Sequence, residues 1–432
     1  MMCLRRYATV FLLSTFAALG GIMHAHASKP APFYLKPGDR IVFYGDSITD
    51  QRLYTTYIES YCVSRFPNGH FTFIHSGWGG DRVTGGGGGP IDTRLKRDVL
   101  AYKPTVVTIC LGMNDGSYRS FDKGIFDTYV NGYRHILDTL IKELPGVRIT
   151  LVTASAYDDV TRPDGFLGGY NATLVAYGEA VRALGREYGL VVADTNAPLV
   201  SALARAHASD ADVSTQILRD RVHPGPGGHI VMAAAVLSAW NAPGTVAEAE
   251  IDGAKAKPVR AVNTQISGLA ISGGAISFTE TDRSLPWPID RDPANNKDTI
   301  LTLSVTDVEH NLNRSTLKIT GLTSASYGLT VDGVDCGSYS RDDLAQGIDM
   351  AAIAPLPENT QAQKLLTLTR KHNDLHFKRW RQVQVTSSSD GLNPSSDTLQ
   401  QMDALDKEEA AAVKEQQNAA LPQSHKIVLT PR

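Results

Sequence analysis

The 432-residue chain is long enough to bury one large core or two medium ones. Its 42 Lys+Arg against 45 Asp+Glu leave a formal net charge of −3, so it carries neither the basic footprint of a nucleic-acid binder nor a polybasic membrane signal. That balance points to a small or neutral molecule as the partner.

The chain opens on an address. Arg5 and Arg6 supply a positive n-region, Val10 to Ile22 is almost wholly apolar, and Ala25-His26-Ala27 fits the small-x-small cleavage rule. A signal peptide over residues 1–27 is expected, with export to the periplasm or the exterior. The apolar run is about 13 residues, short of the ~20 that span a bilayer, so no stable membrane insertion is expected after cleavage. Removing Cys3 with the leader leaves Cys62, Cys110 and Cys336, an odd number that cannot all pair internally. The spacing of Cys and His matches no structural zinc site.

From Asp39 to about Pro243, apolar β-branched runs alternate with helical patterns. Strands are expected at Arg40–Tyr44, His70–His75, Thr105–Leu111, Arg148–Thr153 and Leu190–Ala193. Helices are expected at Tyr54–Arg65, Arg94–Tyr102, Phe126–Leu144 and Tyr170–Tyr188, with a last one from Gly227 to Trp240. Short continuous apolar strands between amphipathic helices argue for an α/β fold, a five-stranded parallel sheet covered on both faces. Ligands of such sheets gather at the carboxyl ends of the strands.

Beyond Trp240 the pattern changes to short strand candidates bounded by Gly, Asn, Asp or Ser: Ile266–Ala270, Ala275–Glu280, Thr299–Val305, Thr316–Ile319 and Gly328–Val331. Gly273-Gly274 and Asp332-Gly333 suit hairpin turns. Helical sequence follows from about Asn359 to Val385, with the basic-aromatic run Lys378-Arg379-Trp380-Arg381. Strong helix formers fill Glu408–Ala420, and Lys426–Leu429 suits a terminal strand. The reading therefore divides the chain into a leader (1–27), an α/β domain (28–245), a small antiparallel β unit (246–345) and a helix-rich region (346–432) with a polar linker near 387–396.

Four segments at strand-to-loop junctions carry chemistry. The first is Gly45-Asp46-Ser47-Ile48-Thr49-Asp50: a serine on the turn from a strand into a helix presents its hydroxyl at the sheet rim, beside its own free N–H. It could equally be an ordinary N-cap. The second is Gly77-Trp78-Gly79-Gly80-Asp81, where glycine lets a ligand approach the backbone and the Gly80 N–H donate to an oxyanion. This is no dinucleotide fingerprint, since the third required glycine falls on Arg82. The third, Leu111-Gly112-Met113-Asn114-Asp115, can aim an amide into the cleft or simply form a turn. The fourth is Asp220-Arg221-Val222-His223-Pro224, where imidazole suits a serine hydroxyl as base and a carboxylate three residues earlier can hold its second nitrogen. Asp46, Asp81 and Asp115 suit hydrogen-bonding these loops in place. His229 reads as packing or capping, and Trp78 and Tyr118 as either substrate wall or core.

These segments resemble the four blocks of the SGNH, or GDSL-like, hydrolase superfamily. The resemblance spans Arg40 to Trp240 and implies a flavodoxin-like three-layer αβα fold. It matches Ser47 to the nucleophile, Ser47, Gly80 and Asn114 to the oxyanion hole, and Asp220 and His223 to the D-x-x-H pair. His75 stands where many members carry Asn. The implied activity is a serine esterase without metal or organic cofactor, acting on small-molecule or polysaccharide esters, with a short-chain or carbohydrate O-acetyl esterase foremost. An O-acyltransferase on glycans, a lipase or lysophospholipase, and a glycan-binding degenerate hydrolase remain open, as does the oligomeric state.

Overall fold

In the computed structural model, residues 31–163 and 165–432 are described; the expected leader lies outside them. Five parallel strands, β1 (Arg40–Gly45), β2 (Thr72–Gly77), β3 (Val106–Cys110), β4 (Arg148–Val152) and β5 (Val191–Ala193), line up in the order β2-β1-β3-β4-β5. This is the doubly wound arrangement, and each expected strand of this half is present.

Strand alternation explains why the sheet is buried on both sides. Ile41 and Phe43 of β1 enter one core and Val42 and Tyr44 the other, as a period of two requires. The first core is closed by α1 (Leu53–Arg65) and the second by α2 (Ile91–Asp98) and α3 (Lys123–Glu143). On α3 the buried residues Tyr129, Tyr133, Ile136, Leu137 and Leu140 form a single stripe at helical spacing. Each such aliphatic side chain contributes about 1.5–3 kcal/mol by leaving water. α4 (Gly169–Tyr188), α5 (Asn196–Ser209) and α6 (Pro226–Ala239) complete the helical layers; α5 is a helix that the sequence reading passed over.

The tyrosines of these helices also fasten the loops at the carboxyl ends. Tyr129 donates to Leu111 O (3.2 Å), Tyr133 to Ile109 O (3.1 Å) and Tyr170 to Met113 O (2.6 Å). Buried phenols thus satisfy carbonyls where β3 ends, just before Asn114.

Phe33–Arg432 form one compact unit. The β-rich part contains β6 (Thr245–Asp252), β7 (Lys257–Val262), β8 (Thr264–Ser272), β9 (Ala275–Asp282), β10 (Arg314–Thr320), β11 (Ser326–Val331), β12 (Val334–Ser340), β13 (Ile348–Asp349) and β14 (Ser424–Pro431). They make a four-stranded sheet, β13-β10-β6-β7, and a five-stranded one, β8-β9-β14-β11-β12. The expectation of an antiparallel unit over 246–345 is corrected in two ways. β6 and β10 run parallel, which the long connection between them permits. The five-stranded sheet is completed by β14 from the chain's end, between β9 and β11. The expected strand at Thr299–Val305 is instead α7 (Lys297–Ser304). Its Asp298 accepts the Gly227 N–H (2.9 Å), and its packing on α6 overrides the β-branched composition.

Two long helices, α8 (Pro357–Phe377) and α9 (Ser396–Ala419), lie on α1. With α6 and Trp287 on its other sides, every residue of α1 from Tyr54 to Arg65 is buried. Glu59 sits in that seam, bonded by His75 Nε2 (3.0 Å), His372 Nδ1 (2.8 Å) and Gln416 Nε2 (2.8 Å). Beyond Phe377 the helix continues as a π-helical stretch, Lys378–Gln384. Among the described residues no helix is long and apolar enough to cross a membrane.

Candidate active site

Ser47 is the first residue of a helical turn, Ser47–Asp50, that leaves β1 directly. Asp46 caps this turn, its Oδ1 accepting the Ile48 N–H at 3.0 Å. Being at the first position, the Ser47 N–H has no carbonyl to bond within the helix. The loop after β2 lies hard against the turn. A Cβ on Gly77 would stand 2.1 Å from Asp50 N, so only glycine permits the approach. Asp50 Oδ2 in turn accepts the Gly79 N–H at 3.2 Å.

Gly80 is exposed and adopts φ +76°, a left-handed conformation that glycine takes without strain. Its N–H has no acceptor among the described residues. Behind it, Asp81 is clamped by Arg94 Nε (2.6 Å), and Arg94 Nη2 donates to Ser76 O (2.9 Å). Asn114 stands opposite. Its Nδ2 spends one hydrogen on Asp81 O (3.0 Å) and keeps the other, while its Oδ1 accepts the Tyr118 hydroxyl (2.9 Å). Both contacts fix which way the amide faces. Asp115 Oδ1 accepts the Val83 N–H (2.9 Å), tying the β3 loop to the β2 loop.

From the loop before α6, His223 Nε2 reaches Ser47 Oγ at 2.8 Å. Its Nδ1 meets Asp220 Oδ2 at 2.7 Å. The other carboxylate oxygen, Oδ1, accepts the backbone N–H of Val222 (3.0 Å) and of His223 (2.7 Å). The three-residue spacing works because Arg221 takes a left-handed φ of +72° and turns the chain back on itself. Asp220 and His223 lie at the open rim of the sheet.

The electrostatics differ between rim and interior. Burial acts to raise the Asp220 pKa, but the hydrogen bonds from His223 and Val222 outweigh it and hold the carboxyl below its ordinary value. Within the loops, burial pushes Asp46 up to about 8 and Asp115 up to about 7, and it raises Asp81 against the pull of Arg94. His229 is buried beside this turn. Its Nδ1 accepts the Tyr54 N–H (3.3 Å) and its Nε2 meets Gln51 Oε1 (3.1 Å), while burial lowers its pKa to about 3. It packs, as its helical position suggested.

The structure therefore brings Ser47, Asp220, His223, Gly80 and Asn114 to one rim, with Asp46, Asp81 and Asp115 in the loops behind them. His75 is not among them: it bonds Thr55 and Glu59 in the helical seam. Two contributors escaped the sequence reading. Tyr118 was read as wall or core, yet it holds Asn114; the i,i+4 spacing was its one signal. Arg94, the fourth residue of α2, carried none.

A hydroxyl hydrogen-bonded to an imidazole, a carboxylate on the far nitrogen and unspent N–H donors nearby can perform acyl transfer. Residues 43–231 match the GDSL-like lipase/acylhydrolase family. An acetylxylan esterase of Geobacillus stearothermophilus is 25% identical over 219 residues, covering 46% of this chain and 93% of that protein. A crystal structure of an acetylxylan esterase from the same organism aligns at 24% identity over 48% of this chain and 96% of its own, with a TM-score of 0.40. A gut microbial diltiazem-metabolizing enzyme is 27% identical and superposes with a TM-score of 0.81 over 93% of this chain and 99% of its own.

Proposed function

We propose that this chain, which matches the GDSL-like lipase/acylhydrolase family over residues 43–231, is an exported ester-hydrolysing enzyme that removes short acyl groups, acetyl foremost, by way of an acyl-Ser47 intermediate. The observation that carries the mechanism is the unbroken relay from Ser47 Oγ through His223 to Asp220, at 2.8 and 2.7 Å.

In this mechanism His223 Nε2 takes the Ser47 proton as Oγ attacks the ester carbonyl. The Ser47 N–H, the Gly80 N–H and the unspent Asn114 Nδ2 hydrogen receive the oxyanion. Asp220 keeps the proton on Nδ1 and stabilises the imidazolium. His223 then protonates the departing alcohol, and water, deprotonated by the same ring, releases the acid. The acetyl preference and a carbohydrate alcohol are supported by the curated acetylxylan esterase. Export is supported by Arg5, Arg6, the apolar run and Ala25-His26-Ala27.

The test is hydrolysis of p-nitrophenyl acetate, butyrate and octanoate by the wild-type protein and Ser47→Ala, with acetate release from acetylated xylan and from diltiazem, itself an acetate ester. The proposal expects a preference for the shortest chain and no turnover in the variant. Equal rates in both proteins would overturn the nucleophile, and a preference for octanoate would make the enzyme a lipase. Diversion of the acyl group to an added sugar would make it a transferase.

A further inference from the structure

The C-terminal helices reach the catalytic rim at Arg52, which α8 holds through Asn373 O and Asp374, and at the loop after β2. The π-helical stretch Lys378–Gln384 lays two successive side chains on the β2 loop and its support. Trp380 is buried and donates from Nε1 to Asp98 Oδ1 at 2.5 Å. Asp98 also binds Arg94, the residue that clamps Asp81. Next in sequence, the Arg381 guanidinium lies over the face of Trp78, 3.1 Å from the ring centroid. Arg381 also approaches Asp50 Oδ2 and Gly77 O, each at 3.5 Å.

These partners are not scattered. Gly77 and Trp78 begin the loop that ends in Gly80, and Asp50 closes the turn that begins at Ser47. Asp50 moreover holds the Gly79 N–H. One cation thus bridges the two backbone segments whose N–H groups face the oxyanion. Such a bridge is strong where the charge is partly desolvated and stacked on an indole, and the Arg381 side chain is 20% exposed. Gly79 and Gly80 have no side chain of their own to anchor them, so the loop is held at its flanks: at Asp81 by Arg94 and Asn114, and at Trp78 and Asp50 by Arg381, with Arg94 and Arg97 also over the indole.

We propose that Arg381 is a positioning residue for ester hydrolysis: acting through Trp78 and Asp50, it makes the C-terminal helical extension a working part of the oxyanion-binding loop. The proposal rests on the assignment of Gly80 and Asn114 to the oxyanion. It acts on turnover rather than on substrate binding, because hydrogen bonds to the oxyanion strengthen in the transition state.

The experiment compares Arg381→Gln, Arg381→Lys and Lys371→Ala with the full-length wild type. Lys371 pairs with Glu415 on the exposed side of the same helices and serves as control. Thermal unfolding selects folded variants, and Arg381→Lys keeps the charge should the glutamine variant fail to fold. Displacing a loop by a fraction of an ångström should lower kcat on p-nitrophenyl acetate by about tenfold to a hundredfold in Arg381→Gln, with KM nearly unchanged. The lysine variant should fall between, since an ammonium retains the ion pair but not the planar stack. The rate of Ser47 labelling by an organophosphonate should fall in parallel, because its phosphoryl oxygen uses the same donors. Arg381→Gln at wild-type kcat, or a loss confined to KM, would overturn the proposal. Asn114→Ala run alongside separates the two ideas: full kcat there would remove the oxyanion assignment itself, and the positioning role with it.

Discussion

Tyr118→Phe removes one oxygen atom and so tests the oxyanion assignment at low structural cost. The ring keeps its contacts with Tyr170 and Tyr157, at centroid separations of 5.0 and 6.3 Å. The left-handed φ of +54° is equally strained for Tyr and Phe, so it cancels in the comparison. What is lost is the 2.9 Å hydrogen bond into Asn114 Oδ1. A neutral hydrogen bond contributes about 0.5–1.5 kcal/mol net, which corresponds to about twofold to twelvefold in rate. The lower part of that range is expected, for two reasons. Asn114 Nδ2 remains anchored on Asp81 O, so a flipped amide would set oxygen against oxygen. Tyr118 is also 43% exposed, so water can take the vacated place.

Deleting the amide itself in Asn114→Ala should cost about 2.7–4 kcal/mol, or 10²–10³ in kcat. The decisive measurement is the double-mutant cycle with p-nitrophenyl acetate. If Tyr118 works only through Asn114, Tyr118→Phe should have no further effect in the Asn114→Ala background. An undiminished effect in that background would refute the argument, as would a change confined to KM, which would make Tyr118 part of the substrate wall.

Two further outcomes follow from the relay and the helical seam. In Asp220→Asn the amide oxygen can still take the Val222 and His223 backbone N–H groups, but its NH2 faces Nδ1 and forces the proton onto Nε2; kcat should fall by about 10²–10⁴ with little change in KM, measured on the same ester. In the seam, burial would lower the His372 pKa, but Glu59 and Glu409 outweigh it and raise it to about 10, while His372 and His75 outweigh burial at Glu59 and lower it to about 2. The His372 contribution is complete below its ordinary 6.5 and is lost as pH rises through 10; that of Glu59 is complete above its ordinary 4.5 and is lost as pH falls through 2. Thermal unfolding of wild type and His372→Gln should therefore differ most between pH 4.5 and 6.5, by about 3–5 kcal/mol, and converge on either side; a difference independent of pH would refute the ionic reading.

The catalytic half was legible in the sequence because its signals are local. Five apolar runs mark the strands, and the Ser47, Gly80 and Asn114 blocks each follow a strand end, so placing the strand places the residue; the fourth block was expected at such a junction too, but it lies between two helices, in the loop before α6. Asp220 and His223 needed only a tight turn between them. Partners distant in sequence left no such trace. Glu59 reads as one polar position on a helix until His372, 313 residues away, is packed against it. Trp380 and Arg381 read as a basic-aromatic run that suits either a surface or a helix docked on the main domain, and only the fold shows them gripping Asp98 and Trp78. Thr299–Val305 misled in the opposite sense: its β-branched residues suit a strand, but docking on α6 through Asp298 and Thr302 fixes a helix there.

The acidic residues behind the rim raise a question of charge that the pairing answers. Three ionised carboxylates in the loops at Asp46, Asp81 and Asp115 would repel a developing oxyanion and work against its N–H donors. Burial pushes Asp46 up to about 8 and Asp115 up to about 7, which weakens the negative charge they present at neutral pH. Asp81, which burial also raises, faces the buried cation of Arg94, while Asp98, the second carboxylate on Arg94, is paired by Arg97 as well. Asp220, at the rim, stays ionised because two backbone N–H groups and the imidazole compensate it. In the proposed mechanism the same side-chain chemistry thus supplies one carboxylate beside the imidazolium and weakly charged ties beside the oxyanion. The division between them is made by burial and partners, not by residue type.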